Sequence, residues 1–162
     1  CAKEINKVSK IARFVLVGSP DVQNPDAIPI EMLEDWNNNG VVEWWGHQNN
    51  MPNVLHQSTI VCLPTSYGEG LPKCLLEAAS CGRPIVTYDV PGCREIVKDG
   101  YNGYLVQPKS IDGLVEAIIL LINNYKLCVQ MGKNGRKLVE KHFTQEKIAR
   151  ETIAVWEEVL AC

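Results

Sequence analysis

The chain has 162 residues, 46% of them apolar and 22% charged, with 16 basic against 19 acidic side chains and a net charge of −3. This is the size and composition of one globular domain, able to bury roughly two-thirds of its unfolded surface without disulfide or metal staples. No basic stripe stands out, which argues against nucleic acid as a partner. The longest apolar run, Ala117 to Ile122, is far short of the ~20 residues that cross a bilayer.

The chain starts on Cys1 rather than Met, from which an upstream continuation is expected, and its polar start, Cys1 to Lys7, has no signal-peptide character. A helix-like segment, Ala2 to Ala12, leads into a buried strand, Arg13 to Gly18. A helix over Pro29 to Asn38 places Met32, Leu33 and Trp36 at helical spacing and stops in Asn37-Asn38-Asn39-Gly40. Strands follow at Val41–Gly46 and Thr59–Pro64. Leu71 to Cys81 is nearly all helix formers and ends at Gly82, a natural residue to follow a helix. A strand at Pro84–Tyr88, a short helix carrying Arg94 and Glu95 after Pro91-Gly92, and a strand at Gly103–Val106 come next. Helices over Ile111–Asn124, Leu127–His142 and Gln145–Ala161 close the chain.

Near-continuous apolar strands indicate a parallel sheet covered on both faces, and strand–helix alternation indicates a doubly wound, Rossmann-like α/β fold. Such sheets open with a strand whereas this chain opens on a helix, so the first strand is expected to be missing. Seven cysteines form no C-x-x-C pair and have no histidine at metal-ligand spacing, so no metal site is expected. Cys62, Cys74 and Cys81 read as small hydrophobes, and scattered, odd-numbered thiols fit a reducing, cytoplasmic compartment.

Chemistry concentrates between Leu63 and Gly103. The third strand gives way to Ser66-Tyr67-Gly68-Glu69-Gly70, and a helix starts near Leu71-Pro72, with proline in its favoured first turn. Ligands of open α/β sheets bind outside the carboxyl ends of strands, and free amides at a helix N-terminus favour an anion such as a diphosphate. Glu69 and Glu77 would flank that point, where carboxylates can accept hydrogen bonds from vicinal hydroxyls of a sugar or ribose. Without a ligand, Glu69 would simply favour the helix dipole, and Glu77 would pair with Lys73 one turn earlier.

The segment E-G-L-P-K-C-L-L-E, with its two glutamates separated by seven residues, resembles the retaining glycosyltransferases of the GT-B fold, family 4 group. So do A-x-x-x-G-x-P-I-V, D-V-P-G-C-R-E-I-V, D-G-x-N-G-x-L-V and G-H-x-x-x-M-P at Gly46 to Pro52, and the likeness runs from about Phe14 to Phe143. The resemblance implies that residues 1–162 form the C-terminal, donor-binding domain, without the N-terminal acceptor domain. It implies that Glu69 grips the transferred sugar by positioning and electrostatics and that Glu77 holds the ribose. Gly68, Gly70, Leu71, Pro72 and Lys73 would line the sugar and diphosphate, and Gly46, His47 and Gln48 would lie beside the base. The expected reaction is retaining transfer of a hexose or N-acetylhexosamine from a nucleotide sugar to a glycan or lipid-linked acceptor in surface polysaccharide synthesis. UDP is the favoured nucleotide, with GDP and dTDP open.

One family element is missing, a G-R-x-x-x-x-K-G-like segment that neutralises the diphosphate, so the pocket is expected to have one wall and this chain alone to be inactive. No cofactor or metal is implied, and membrane contact, at the inner face of the membrane, is expected only through the absent domain. Two alternatives stay open: a module that binds nucleotide sugar without catalysis, and a GT-B sugar-nucleotide epimerase. His47 reads as structural or base-side, Trp44 and Trp45 as facing opposite ways with core packing favoured, and Arg94 as a brace of the pocket or a plain salt bridge. Lys133, Arg136 and Lys137 read as a solvated helix face, and Trp156 as packing.

Overall fold

The computed structural model describes residues 1–8, 12–21, 23–24, 27–66 and 70–161. In chain order these form α1 (Ala2–Val8), β1 (Val15–Leu16), α2 (Ile30–Asn38), β2 (Glu43–Trp44), α3 (Met51–Gln57), β3 (Val61–Leu63), α4 (Lys73–Ser80) and β4 (Ile85–Tyr88). Then follow α5 (Pro91–Ile96), β5 (Gly103–Val106), α6 (Ile111–Ile122), α7 (Tyr125–His142) and α8 (Gln145–Leu160). Every strand pairing among the described residues is parallel.

The order of layers follows from the side-chain alternation along β4, the only described strand buried at every position. Val86 and Tyr88 point into one cluster with Val106, Leu114, Ile118, Leu121, Met131 and Ile5, so α1 and α6 cover that face. Ile85 points the other way, into a cluster with Leu75, Ala78, Ala79, Cys93 and Ile96, so α4 and α5 cover the second face. Residues two apart on a strand share a face, which makes a parallel sheet between two helical layers the solution for an all-apolar strand. Thr87 shares the Ile85 side; its hydroxyl donates to the Leu63 carbonyl at 2.7 Å, tying the end of β3 to β4.

Several expectations are corrected. The strands form two sheets rather than one, ordered β1-β2 and β3-β4-β5, because β1 and β3 are not hydrogen-bonded to each other. Apart from β4, strands are only partly buried, since each of β1, β2 and β3 borders a sheet edge. The opening helix is described over Ala2–Val8, and Ala12 is outside it; residues 9–11 lie outside the described residues. Helix α3 was not foreseen: Asn50 caps it by accepting from the Asn53 amide at 3.1 Å, with Pro52 in the first turn. Cys62 is exposed rather than a core hydrophobe, because it lies on a three-residue edge strand. Trp156 is 63% exposed and α8 has no buried residue, so that helix does not pack here. No single described helix is long and apolar enough to cross a membrane.

Candidate functional site

Two loops at carboxyl ends of strands carry the residues singled out by sequence. After β2 the chain turns through Gly46, whose φ of +64° is the left-handed conformation that favours glycine. Its carbonyl accepts from the Gly18 amide at 2.8 Å, and the Trp44 indole donates to the Gly18 carbonyl at 2.9 Å. These two bonds lock the exits of β1 and β2 together. Next to them His47, exposed, has Nε2 3.0 Å from the Asn49 side-chain oxygen, and the Gln48 amide donates to the Trp45 carbonyl at 2.8 Å. A cavity of about 250 Å³ opens beside this point, lined by Leu16, Gly18, Leu33 and Trp44 among others. Trp44 therefore faces a cavity while Trp45 turns the other way and donates to Glu43 at 3.3 Å.

The second loop follows β3. Gly68 and Glu69, the latter the residue expected to grip the sugar, lie outside the described residues, as does Tyr67. The chain is described again from Gly70, which is exposed, as is Leu71; Pro72 is buried. Pro72 stands at the N-cap of α4 with φ −61° and ψ 109° and supplies no capping side chain. The first turn of α4 contains no acidic residue either, and it starts with Lys73. A cation at the positive end of the helix dipole is electrostatically unfavourable on its own, by a few tenths of a kcal/mol to about 1.

Glu77, one turn further on, is two-thirds covered, and its Oε1 lies 3.6 Å from the Lys73 Nζ. The ion pair foreseen as the ligand-free alternative is thus present. It does not exclude a binding role. Lys73 is 88% exposed, and such a solvent-screened pair contributes between about 0 and 1 kcal/mol. A ligand bringing hydroxyls to Glu77 and phosphate to Lys73 displaces it at little cost.

Arg94 forms a salt bridge: its Nε donates to Asp89 at the end of β4, and Nη2 to the Asp89 carbonyl at 3.2 Å. That hydrogen bond, with the added charge attraction, holds the Asp89 carboxyl below its ordinary range. Sequence reasoning overlooked Asn102, fully buried, whose amide donates to the Ile96 carbonyl at 3.0 Å and whose oxygen accepts from the Lys98 amide at 2.7 Å. The D-G-x-N-G pattern was its signal: asparagine there satisfies the backbone where α5 ends.

The sequence model of the family described as Glycosyl transferases group 1 matches residues 2–138. The chain belongs to this family. It is 34% identical over 149 residues to the N,N'-diacetylbacillosaminyl-diphospho-undecaprenol alpha-1,3-N-acetylgalactosaminyltransferase of Campylobacter jejuni, covering 92% of this chain and 38% of that protein. Among solved structures, Anabaena HepE in complex with UDP superposes with a TM-score of 0.86 at 19% identity, over 97% of this chain and 44% of that one. S. aureus TarM, in a complex with Fondaparinux, alpha-GlcNAc-glycerol and UDP, gives a TM-score of 0.82 at 25% identity, over 94% of this chain and 30% of that one. The fold is therefore that of a GT-B glycosyltransferase C-terminal domain. The chain spans about two-fifths of the length of the curated relative quoted.

Proposed function

We propose that this chain is the donor-binding domain of a retaining, family 4-type glycosyltransferase that takes a UDP-sugar and serves a glycan or lipid-linked acceptor in surface polysaccharide synthesis. The observation that carries the proposal is the start of α4. A helix N-terminus whose N-cap residue, Pro72, supplies no side-chain hydrogen bond, and whose first turn has no acidic side chain, presents Lys73 beside Glu77 at the carboxyl end of β3. Helix amides and Lys73 would hold the diphosphate, and Glu77 would accept from the ribose hydroxyls. Glu69 would orient the sugar, and the Gly46-His47-Gln48 turn would flank the base. TarM, crystallised with UDP, supports the choice of nucleotide. The Campylobacter relative, whose name specifies an undecaprenyl-diphosphate-linked sugar, supports the acceptor class. Charge stabilisation of a departing diphosphate by amides and cations supplies the electrostatic part of such a transfer. More than half of that relative lies outside the aligned part, and the acceptor is proposed to be held there.

The test is saturation-transfer NMR with UDP, GDP and dTDP on the chain and on Glu77→Ala. Hydrogen bonds to a charged group contribute about 1.5–3 kcal/mol, so the substitution should weaken nucleotide binding by roughly 10- to 100-fold. Transfer to the UDP ribose protons that disappears in Glu77→Ala is the expected result. Unchanged ribose signals in that variant would overturn the assignment of Glu77, and no transfer from any nucleotide, in this chain or one extended upstream, would overturn the donor site altogether.

A further inference from the structure

At the other end of α4 the structure holds a second basic site that the proposed transfer does not use. A cavity of about 460 Å³ lies where α4 ends and β4 begins, lined by Arg83 from the connecting turn and by Lys133, Arg136 and Lys137 from α7. None of its lining residues is acidic. What brings the four cations together is a contact between backbones. Gly82, in the left-handed conformation, stands so close to Gly132 that a Cβ on Gly132 would lie 2.0 Å from the Gly82 oxygen. The helix that carries Lys133, Arg136 and Lys137 is thereby pressed against the turn that carries Arg83.

Part of this charge has a structural use. Arg136 donates to the Ser80 carbonyl at 2.6 Å and pairs with Glu140 at 2.7 Å, and Arg83 Nη2 donates to the His56 carbonyl at 3.1 Å. These bonds satisfy carbonyls at the C-terminal ends of α4 and α3. They do not account for the rest. The two helix C-termini carry about half a negative charge each, and Glu140 one more, against four full positive charges. Lys133 and Lys137 have no hydrogen-bond or ion-pair partner among the described residues. Arg83 Nε is buried without a hydrogen-bond partner, a donor whose desolvation is uncompensated.

We propose that this cavity binds a phosphate-bearing anion of at least two negative charges, at a site separate from the donor site. Arg83 Nη1 and Arg136 Nη2, which take no part in those bonds, offer guanidinium N–H groups to phosphoryl oxygens, and Lys133 and Lys137 add mobile point charges beside them. The eight residues of α4 set this site roughly 12 Å from the amides at the helix start. One helix would then hold an anion near each end, the first by its amides and Lys73, the second by side chains on α7 and the turn. The same chemistry is presented by a soluble diphosphate and by a phosphomonoester lipid headgroup.

The experiment is an amide NMR titration of the full chain with inorganic pyrophosphate in saturating UDP, alongside sedimentation with phosphatidylcholine vesicles containing or lacking phosphatidic acid. The Lys133→Ala/Lys137→Ala variant is run in parallel, its amide dispersion serving as the check of folding. Shifts at Gly82 and Lys133–Lys137, with at least a tenfold loss of affinity in the variant and weakening by added salt, support the site with a soluble ligand. Sedimentation that requires phosphatidic acid and is lost in the variant, with those amides unmoved by pyrophosphate, supports it with a lipid source. Shifts confined to Leu71–Glu77 would overturn the proposal while leaving the donor site standing. Wild type and variant behaving alike in both arms would overturn it whatever UDP does.

Discussion

Alanine at Gly132 separates the packing described above from ordinary helix propensity. In an unconstrained helix interior, Gly→Ala stabilises by about 0.8–1 kcal/mol. Here the added methyl would sit 2.0 Å from the Gly82 oxygen and 2.8 Å from its carbon, about 1 Å inside any normal approach, and both atoms are backbone. Overpacking costs about 1–3 kcal/mol even where side chains can adjust, and a backbone carbonyl adjusts least, so the upper end applies. Less the propensity gain, Gly132→Ala should lose about 2 kcal/mol. Gly135→Ala, three residues along the same helix, is the control. Its Cβ would meet the Ala79 Cβ at 3.5 Å, ordinary contact, and the variant should be stabilised by up to about 1 kcal/mol. With a urea slope of about 1–3 kcal/mol/M, the two midpoints should fall on opposite sides of wild type, about 1 M or more apart. Equal or higher stability for Gly132→Ala would refute the close α4–α7 contact and, with it, the assembly of the basic cavity.

Two further outcomes follow from Asn102 and Cys62. Asn102→Ala removes both side-chain bonds that close the end of α5 and strands the Ile96 carbonyl and the Lys98 amide; a loss of about 2–4 kcal/mol in urea unfolding is expected, and a loss under 1 would show that those groups find other partners. Cys62 is exposed on its edge strand, yet the protein beside its thiol partly desolvates the thiolate and pushes its pKa up to about 11. A free cysteine titrates near 8.5, so iodoacetamide labelling of Cys62 at pH 8 should run about 100-fold slower than that of a free thiol, rising towards pH 11. The raised value means that the folded state prefers the neutral thiol. Its stabilising contribution is present below the unfolded-state pKa and is lost as pH rises through about 11. Half-maximal labelling near pH 8.5, followed by mass spectrometry of the Cys62 peptide, would contradict this.

The sequence made legible what depends on neighbours along the chain. Apolar runs of four to six residues pointed to the five strands, and glycine after Cys81 to the end of α4. What depended on distant segments was not legible. That β1 and β2 form a sheet of their own is decided by which edges meet. Helix α3 was hidden because its signal is a cap and a proline rather than an apolar period, and only Leu55 of its seven residues is buried. The exposure of α8 depends on what lies against it, which its amphipathic pattern cannot state.

The basic cavity shows the same limit from the side of function. Lys133, Arg136 and Lys137 lie three and four residues apart, and a helix face with that spacing normally faces water. The local reading of that face was sound as far as it went, since all three residues are exposed. Arg83 lies fifty residues earlier, and nothing between them announces that they meet. Two glycines decide it: one ends α4 in a left-handed turn, and the other leaves α7 without a side chain where that turn arrives. Read singly, Gly82 is a helix terminator and Gly132 a weak spot in a helix. Their contact converts two ordinary surface features into a walled, positively charged site, and so charge clusters in this chain have to be sought across its glycine contacts and not only along its helices.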